Sequence, residues 1–203
     1  MGRVDPLIEP VEGATPIEDT SDLIPTHILT RADLNEWEAA NILTASRRYL
    51  KKNAKLKITI DWLKSVHKAM FDETWKWAGK LRTKDYNLGV NWHQIQEELE
   101  KLTDDIEYWE KAGTPERLEQ SVRLHHRLAK IHPFVNGNGR HARLVADIFL
   151  FAQGHKLPEW PEAGLIESTD IRKRYIAALQ AADKGDYKSL KAFTAALIPK
   201  KED

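Results

Sequence analysis

The feature that most restricts the fold is a change in residue composition at about residue 31. From there onward the chain consists of long, mostly proline-free segments rich in Ala, Leu, Glu, Lys and Arg. These residue types favour helices, and their apolar members recur at the spacing of one helical face. Residues 1–30 are richer in proline, and acidic side chains outnumber basic ones there. The sequence therefore predicts an extended N-terminal arm over residues 1–30 and one helical domain over residues 31–203.

Start and stop signals divide this domain into helices. Thr114, Pro115 and Glu116 supply an N-cap, a first-turn proline and an acid beside the positive end of the helix dipole, so a helix is predicted from there to Ile131. The other predicted helices, bounded by Gly, Pro, Asn, Ser, Thr or Asp, lie near residues 31–52, 59–71, 94–112, 138–153, 168–183 and 187–197.

One segment, residues 81–92 (LRTKDYNLGVNW), does not fit a helix. It mixes Thr, Tyr and Val with Asn87 and Gly89, and this composition favours a short hairpin or an extended flap. The predicted fold class is therefore all-α, a helical bundle with a small β-hairpin flap.

Charge and cysteine content exclude several classes of function. Lys plus Arg and Asp plus Glu number 31 each, so no net charge draws the chain to nucleic acid or to a membrane. The absence of cysteine excludes disulfides, thiolate zinc sites and a cysteine nucleophile. The N-terminus lacks a signal-peptide pattern, and the most apolar stretch, LVADIFLFAQG, is too short to span a bilayer. We expect a soluble, cytoplasmic protein without nucleic-acid or membrane partners.

The stretch that says most about possible chemistry is residues 131–144, IHPFVNGNGRHARL. The proline after His132 lacks an N–H and ends the preceding helix, so the imidazole is predicted to project from a loop and to accept a proton. Residues 136–139 (NGNG) can adopt positive φ and turn successive N–H groups inward at the start of the next helix, which suits a phosphate. Arg140 and Arg143 lie three apart in its first turns and can reach polyphosphate oxygens.

Each of these features also has a common structural explanation. A histidine beside a proline is usually a capped surface residue, a Gly-Asn-Gly stretch is usually a turn, and an arginine pair is usually solvated. Their combination within twelve residues indicates a polyphosphate site. His125 and His126 precede the motif, but adjacent helical residues point about 100° apart and no carboxylate lies at the spacing of a zinc site. We expect His125 to pack instead.

The string HPFVNGNGRHAR resembles the signature of the Fic/Doc (Fido) family, His-x-Phe-x-acid-Gly-Asn-Gly-Arg-x-x-Arg, at every fixed position except the acid. Residues 63–83 (LKSVHKAMFDETWKWAGKLRT) are similar to the family's helix that leads through Trp-Ala-Gly-x-x-Arg into a target-docking flap. The later segment RKRYIAALQAADKGDYKSL is similar to its closing helices. The resemblance covers residues 31–197.

The resemblance implies a protein adenylyltransferase that moves AMP from ATP, with Mg²⁺ or Mn²⁺, onto a Ser, Thr or Tyr hydroxyl of a target protein. His132 is implied as the general base that deprotonates this hydroxyl. Pro133 and Phe134 are implied to hold the loop in place. The implied nucleotide-binding residues are Gly137, Asn138, Gly139, Arg140 and Arg143. An extended target segment is implied to add as a strand to the flap residues Thr83, Lys84, Asp85, Tyr86, Asn87 and Leu88.

Asn136 stands where the family has Asp or Glu, the residue implied to bind Mg²⁺. An amide oxygen can coordinate a hard cation but carries no charge, so metal affinity is predicted to be lower. Three outcomes stay open: Mg²⁺ held mainly by the nucleotide, a weak or altered enzyme, or nucleotide binding without turnover. The alternative functions are a Doc-like kinase or other phosphate-group transferase, and a degenerate, non-catalytic nucleotide-binding or interaction module.

Members of the family can carry an inhibitory helix, Ser/Thr-x-x-x-Glu-Gly/Asn, whose Glu pairs with the second motif arginine. The nearest match is residues 30–35 (TRADLN), with Leu34 in place of Glu. Glu36 and Glu38 lie close by and are candidate inhibitory residues, although a glutamate in an early helical turn often serves the helix dipole. The resemblance thus adds a small antitoxin or a self-inhibiting helix as a candidate partner.

Overall fold

The computed structural model describes residues 20–166 and 169–200. Within these ranges the chain is mostly helical, and strand pairing is limited to isolated bridges. The helices are α1 (Arg31–Tyr49), α2 (Ile60–Phe71), α3 (Ile95–Ala112), α4 (Arg117–Ile131), α5 (Asn138–Ala152), α6 (Glu162–Ile166), α7 (Asp170–Asp183) and α8 (Lys188–Ala196), with a 3₁₀ turn at Trp92–Gln94. None of these helices combines the length and apolar character that a membrane span requires. The predicted helical architecture is confirmed.

Helix α4 lies at the centre of the fold and packs against α3, α5, α7 and α8. Its residues Leu124, Leu128 and Ile131 are buried in the main core together with side chains of α1, α2, α3 and α5. Its Val122 belongs to a smaller cluster with α7 and α8. The loop between α4 and α5 carries the first half of the sequence motif and α5 the second half, so the packing of these two helices fixes both ends of the loop.

Threonine N-caps begin several of the helices. Thr30, Thr59 and Thr169 precede α1, α2 and α7, and each side-chain oxygen accepts a backbone N–H of the first turn. At α1 the cap is reciprocal, because the Asp33 carboxylate accepts the Thr30 N–H at 2.9 Å. Local side-chain hydrogen bonds of this kind explain why these starts could be predicted to within a few residues.

The start of α4 differs from the prediction. The helix begins at Arg117 with Glu116 at the N-cap, so the predicted cap at Thr114 is wrong. The reason is a buried side chain: the Gln120 amide donates to the Pro115 carbonyl at 2.7 Å and to a carbonyl at the end of α3. This contact holds residue 115 in the turn between α3 and α4 and delays the helix.

The segment 81–92 forms a loop, and the predicted β-hairpin is not observed there. Leu81 makes one bridge, and its partner is Phe134 of the motif loop instead of another flap residue. The physical reason is that side chains bind backbone groups that a hairpin would pair. The Arg82 guanidinium binds two flap carbonyls, and the Asp85 carboxylate accepts the Trp92 N–H at 2.8 Å. We keep the name flap for residues 82–90.

The end of the predicted N-terminal arm lies against the helical body. Residues 1–19 fall outside the described ranges, and the described residues 20–30 contain no helix. Leu23 forms an isolated bridge with Trp75, and the Ile24 N–H donates to a carbonyl at residue 74 at 2.9 Å. This part of the arm therefore adds backbone pairing to the turn that follows α2.

Candidate functional site

His132 is the C-cap of α4 and adopts a left-handed conformation with φ 53° and ψ 58°. Few residues other than glycine occupy this region. Its Nδ1 lies 3.1 Å from the Ala129 carbonyl oxygen. Because a carbonyl can only accept, Nδ1 carries the proton and the lone pair of the neutral ring lies on Nε2. The helix ends before His132, as predicted, and the ring borders a cleft.

Phe134 anchors the motif loop in the core. Its ring is 1 % exposed and stacks on His67 of α2 with centroids 3.6 Å apart. The Asn138 side chain accepts the Phe134 N–H and donates to its carbonyl, both at 2.9 Å. His67 Nε2 also lies 3.0 Å from the Asn136 carbonyl oxygen, and Pro133 is buried. The loop is therefore preorganised by its own protein contacts.

Residues 136–139, the segment predicted to bind phosphate, differ in backbone conformation from the prediction. Within residues 136–139, only Gly137 has a positive φ, at 74°. Asn138 and Gly139 already belong to α5, so the predicted run of positive φ values is wrong. Glycine is required at 137 because a Cβ there would lie 2.5 Å from Cε2 of Phe71. The start of α5 leaves backbone N–H groups without partners inside the helix and carries the positive end of its dipole, two features that favour an anion.

Asn136 does not build a metal site by itself. Its side-chain oxygen accepts the Gly137 N–H at 2.6 Å, and its amide brings no negative charge. No cluster of three or more His, Asp or Glu side chains suited to a metal exists in residues 20–166 and 169–200. The chain's own donors therefore do not fit a resident Mg²⁺, and such an ion would enter with the phosphates of a nucleotide.

Arg140, the first arginine of the motif, is held by Glu38 of α1. Arg140 Nη1 lies 2.5 Å from Glu38 Oε2, and the guanidinium lies 5.0 Å from the centre of the Phe71 ring. Glu38 is 5 % exposed, and its other oxygen accepts the Trp75 indole N–H at 2.6 Å. This buried carboxylate fixes the direction of the guanidinium. Glu36 is exposed, and an inhibitory role for either glutamate stays a prediction.

Arg143, the second arginine, is bound by Glu162 at the start of α6. Arg143 Nε and Nη2 lie 3.2 Å and 2.6 Å from the two carboxylate oxygens, which is a bidentate pair. The guanidinium is buried, whereas the Glu162 side chain is 51 % exposed. A phosphate that binds this face of the guanidinium must displace Glu162. The carboxylate engaging Arg143 thus comes from α6, not from α1.

A cleft of about 630 Å³ joins His132 and the start of α5 to one face of α7. The charged residues that line it are Arg31, Lys130, Arg140, Arg143, Arg172 and Asp183. The whole chain carries no net charge, but cations outnumber acids along this cleft even when Glu38 and Glu162, the partners of Arg140 and Arg143, are included, and a concave site focuses their field. Leu165, Ile176 and Leu179 add an apolar wall. Such a cleft suits a ligand with a polyphosphate and a flat apolar group.

The predicted target-docking residues lie at the surface beside the cleft. Five of them are exposed and Tyr86 is half-buried; the exposed ones are Thr83, Lys84, Asp85, Asn87 and Leu88. Leu88 and Gly89 also line the cleft, as does His132. The flap is thus accessible from solvent and next to the imidazole. Strand addition of a target segment stays a prediction.

Burial controls the protonation of several histidines. It lowers the pKa of His132 from 6.5 to about 4; the Ala129 carbonyl acts in the opposite direction, and the Arg82 charge lowers the pKa further. Burial likewise lowers the pKa of His125 to about 3 and that of His141 to about 4. It places the pKa of His67 well below 6.5. All four rings are therefore neutral at neutral pH.

These four histidines predict an acid-sensitive fold. Their pKa is depressed in the folded state, so the stability they contribute is present above about pH 6.5 and lost as the pH falls towards about 4. Burial raises the pKa of Asp147 to about 7, which favours the fold at low pH, but this is one group against four. We expect urea titration to give a free energy of unfolding on the order of 3 kcal/mol lower at about pH 5 than at about pH 7. A pH-independent value would contradict the burial of these rings.

Several residues of the site had no assigned role in the sequence. His67 and Arg82 lie within residues 63–83, whose resemblance to the family was the available signal. Glu162 and the lining residues of α7 offered none, because a five-residue helix has little periodicity and its contact with Arg143 depends on how helices pack.

Comparison with known proteins bears on this site. Residues 57–150 match the model of the Fic/DOC family. The chain is 29 % identical over 122 residues to protein adenylyltransferase fic-1 of Caenorhabditis elegans, covering 58 % of this chain and 22 % of that protein. It is 30 % identical over 142 residues to protein adenylyltransferase Fic of Nematostella vectensis, covering 68 % and 32 %. The chain therefore spans only a minor part of the length of these relatives.

Two solved structures have a similar fold. The BepC protein, a VirB-translocated effector from Bartonella tribocorum with bound AMPPNP, has a TM-score of 0.67 at 19 % identity, covering 91 % of this chain and 96 % of that one. The N-terminal Fic domain of a Bep effector protein from Bartonella quintana with bound ADP has a TM-score of 0.64 at 21 % identity, covering 92 % and 94 %. With the family match over residues 57–150 and the helical fold, we conclude that this protein carries a Fic/DOC family domain.

Proposed function

We propose that this protein is an adenylyltransferase that moves AMP from ATP onto a hydroxyl group of a target protein. The observation that carries the proposal is that one positively lined cleft contains both a neutral histidine and the open N-terminus of α5. The names of the relatives support the reaction class. The AMPPNP and ADP in two proteins of similar fold support a nucleotide substrate.

His132 acts as the general base in this proposal. Its Nε2 lone pair takes the proton of the target hydroxyl while the hydroxyl oxygen bonds to the α-phosphorus of ATP. The bond from the α-phosphorus to the oxygen bridging to the β-phosphate breaks, and pyrophosphate leaves. Before nucleotide binds, a pKa of about 4 makes the His132 ring a weak base. The charge of nearby phosphates favours the imidazolium and raises this pKa when nucleotide binds.

The start of α5 binds the phosphates in this proposal. Backbone N–H groups at Asn138 and Gly139 contact the α- and β-phosphates, and the Gly137 N–H joins them once it leaves the Asn136 side-chain oxygen. The Asn138 side chain takes no part because it holds Phe134. Arg140, oriented beforehand by Glu38, and Arg143 stabilise the charge on the departing pyrophosphate. Mg²⁺ or Mn²⁺ arrives with ATP as part of the substrate.

The reaction is tested by following each phosphate separately. Purified protein is incubated with cell lysate, Mg²⁺ and ATP that carries the label on either the α- or the γ-phosphate. Because kinases of the lysate also transfer the γ-phosphate, labelling is compared with that of lysate alone. We expect additional protein-bound label from α-labelled ATP and no addition from γ-labelled ATP. Transfer of the γ-label alone would indicate a Doc-like kinase.

A second candidate is a nucleotide-binding module without turnover. Two observations favour it: Asn136 brings no charge to a metal, and Arg143 is already engaged by Glu162. Calorimetry that detects ATP binding, combined with no labelling under any divalent ion, would support this candidate. Labelling that appears only after the substitution Asn136→Asp would identify the missing charge as the cause.

Replacing Glu162 tests whether Arg143 serves the nucleotide. The substitution Glu162→Gln removes the charge that competes with phosphate for the guanidinium. Because this carboxylate is half-exposed and screened, we expect ATP to bind about 3–10-fold more tightly in calorimetry. The matched control is Glu159→Gln, an exposed residue nearby, which should leave the affinity unchanged. Unchanged or weaker binding by the Glu162 variant would argue against a phosphate contact of Arg143.

A further inference from the structure

The flap is attached to the motif loop at the proposed base. The Val90 N–H donates to the Ile131 carbonyl at 3.4 Å, and the Arg82 N–H donates to the Pro133 carbonyl at 2.9 Å. Between them, Arg82 Nε donates to the carbonyl of His132 itself at 2.7 Å. Three successive carbonyls centred on His132 thus accept hydrogen bonds from the two ends of the flap.

The Arg82 side chain is the centre of this attachment. It is fully buried, and besides His132 its guanidinium binds the Lys84 carbonyl at 2.9 Å and the Val90 carbonyl. It also lies 3.4 Å from an oxygen of the Asp85 carboxylate. One planar group therefore connects both legs of the flap with the backbone of the motif histidine. A lysine cannot do this, because its ammonium lacks the fixed fork geometry.

The flap backbone also touches the histidine side chain directly. Gly89 has a φ of 101°, and a Cβ at this position would lie 2.6 Å from the His132 Cβ and 2.7 Å from Arg82 Nη2. No side chain fits between the flap and His132. The contact is therefore close enough for a displacement of the flap to change the position of the ring.

We infer that Arg82 is a positioning residue that couples the flap to His132, so that a target segment docked on the flap is held in register with the imidazole. This inference rests on the proposed function for the roles of His132 and the flap. The left-handed backbone of His132 is costly for a residue other than glycine, and the hydrogen bond from Arg82 to its carbonyl stabilises it. Misplacement of a catalytic group by about 1 Å can cost on the order of 10²-fold in rate.

The Arg82 charge gives the inference a second readout. A nearby cation disfavours the imidazolium, so Arg82 lowers the pKa of His132 below the value that burial alone produces. The other charged or titratable side chains that line the cleft come from α1, α4, α5 and α7 and are Arg31, His126, Lys130, Arg140, Arg143, Arg172, Tyr175 and Asp183. Asp85 of the flap faces Arg82 itself. These are unchanged in the variants below.

The test compares Arg82→Gln, which removes the charge and the fork, with Arg82→Lys, which keeps only the charge. Backbone hydrogen exchange reports on flap residues 82–90, whose first and last amides donate to the motif loop. NMR titration of ¹³C-labelled histidine reports on the ring, assigned with His132→Asn. Kinetics of AMP transfer give kcat/KM for the protein target, and calorimetry gives the Kd of ATP. Arg123→Gln is the matched control, since Arg123 pairs with Glu119 on α4 and is only partly buried.

We expect exchange in the flap to become at least about tenfold faster in both Arg82 variants. The pKa of His132 should rise in Arg82→Gln and stay low in Arg82→Lys, because only the glutamine variant lacks the charge. The kcat/KM for the protein target should fall by about 10²-fold while the Kd of ATP changes by less than about threefold. The Arg123 control should change none of these quantities.

Flap exchange and a His132 titration in Arg82→Gln that match the parent protein would overturn the inference. Should Arg82→Gln fail to fold, Gly89→Ala tests the same coupling at an exposed position, and unchanged exchange in that variant would equally overturn it. Exchange and titration need no activity, so they test the coupling even if the parent protein transfers no AMP. In that case the proposed function fails, and the coupling is decided separately.

Discussion

His132→Asn is expected to lower AMP transfer by about 10²–10⁴-fold, the usual contribution of a general base. Asparagine is among the few residues that tolerate the left-handed conformation of position 132, so the loop should keep its shape. Its amide has no nitrogen lone pair able to take the hydroxyl proton. Because the phosphates bind at α5, the Kd of ATP should change by less than about threefold. Transfer is measured from α-labelled ATP, and binding by calorimetry.

The matched control for this experiment is His155→Asn. His155 lies on the surface after α5 and does not line the cleft. Its substitution should leave both transfer and ATP binding at parental values. Equal labelling by His132→Asn and the parent protein would reject His132 as the base and leave the proposed mechanism without a proton acceptor.

Gly137→Ala and Gly139→Ala are expected to fail in different ways. At Gly137 the added methyl meets the buried Phe71 ring, and the positive φ adds about 1–2 kcal/mol of strain. We expect this variant to lose on the order of 2–4 kcal/mol of unfolding free energy and about 10²-fold in ATP affinity, because the loop must shift.

At Gly139 the new methyl meets only Arg143 Nη1, at 3.6 Å, and the position is helical. Alanine is a better helix former than glycine, so stability should stay equal or rise by up to about 1 kcal/mol. If phosphate lies against this turn, the methyl occupies its place, and ATP affinity should fall by about tenfold or more. Urea unfolding and calorimetry measure the two quantities separately.

Gly113→Ala supplies the reference for strain alone. Gly113 also has a positive φ, at 65°, but a Cβ there would contact nothing within 4 Å. The loss of unfolding free energy in Gly113→Ala therefore measures the cost of the backbone conformation without a steric clash. A Gly139 variant that binds ATP normally would contradict a phosphate site at the start of α5, and a Gly137 variant no less stable than the Gly113 variant would contradict the contact with Phe71.

Features that depend on near neighbours in the chain could be predicted from the sequence. The threonine cap at Thr30 acts through an N–H three residues away, so the start of α1 is a local event. The end of α4 before His132 is equally local, because the following proline prevents the helix from continuing. The motif itself brings the histidine, the glycine turn and two arginines onto one loop and one helix start.

Features that depend on residues far away in the chain could not be predicted from the sequence. The flap was predicted as a hairpin because its composition suits strands, but a buried arginine side chain binds its carbonyls instead. A run of positive φ was expected across residues 136–139, but α5 already begins at Asn138 and only Gly137 has a positive φ. Nothing local indicates that Glu38 would bind Arg140, 102 residues later in the chain.

The sequence by itself determined the helical architecture and the position of the chemical motif, since capping, helix propensity and apolar spacing act over a few residues. Only the tertiary structure decided the partners of the motif: Arg82 on the His132 carbonyl, Glu38 on Arg140 and Glu162 on Arg143. It also decided that His132 is neutral, because the pKa of an imidazole depends on burial and nearby charge. Burial and long-range charge exist only once the helices have packed around the cleft.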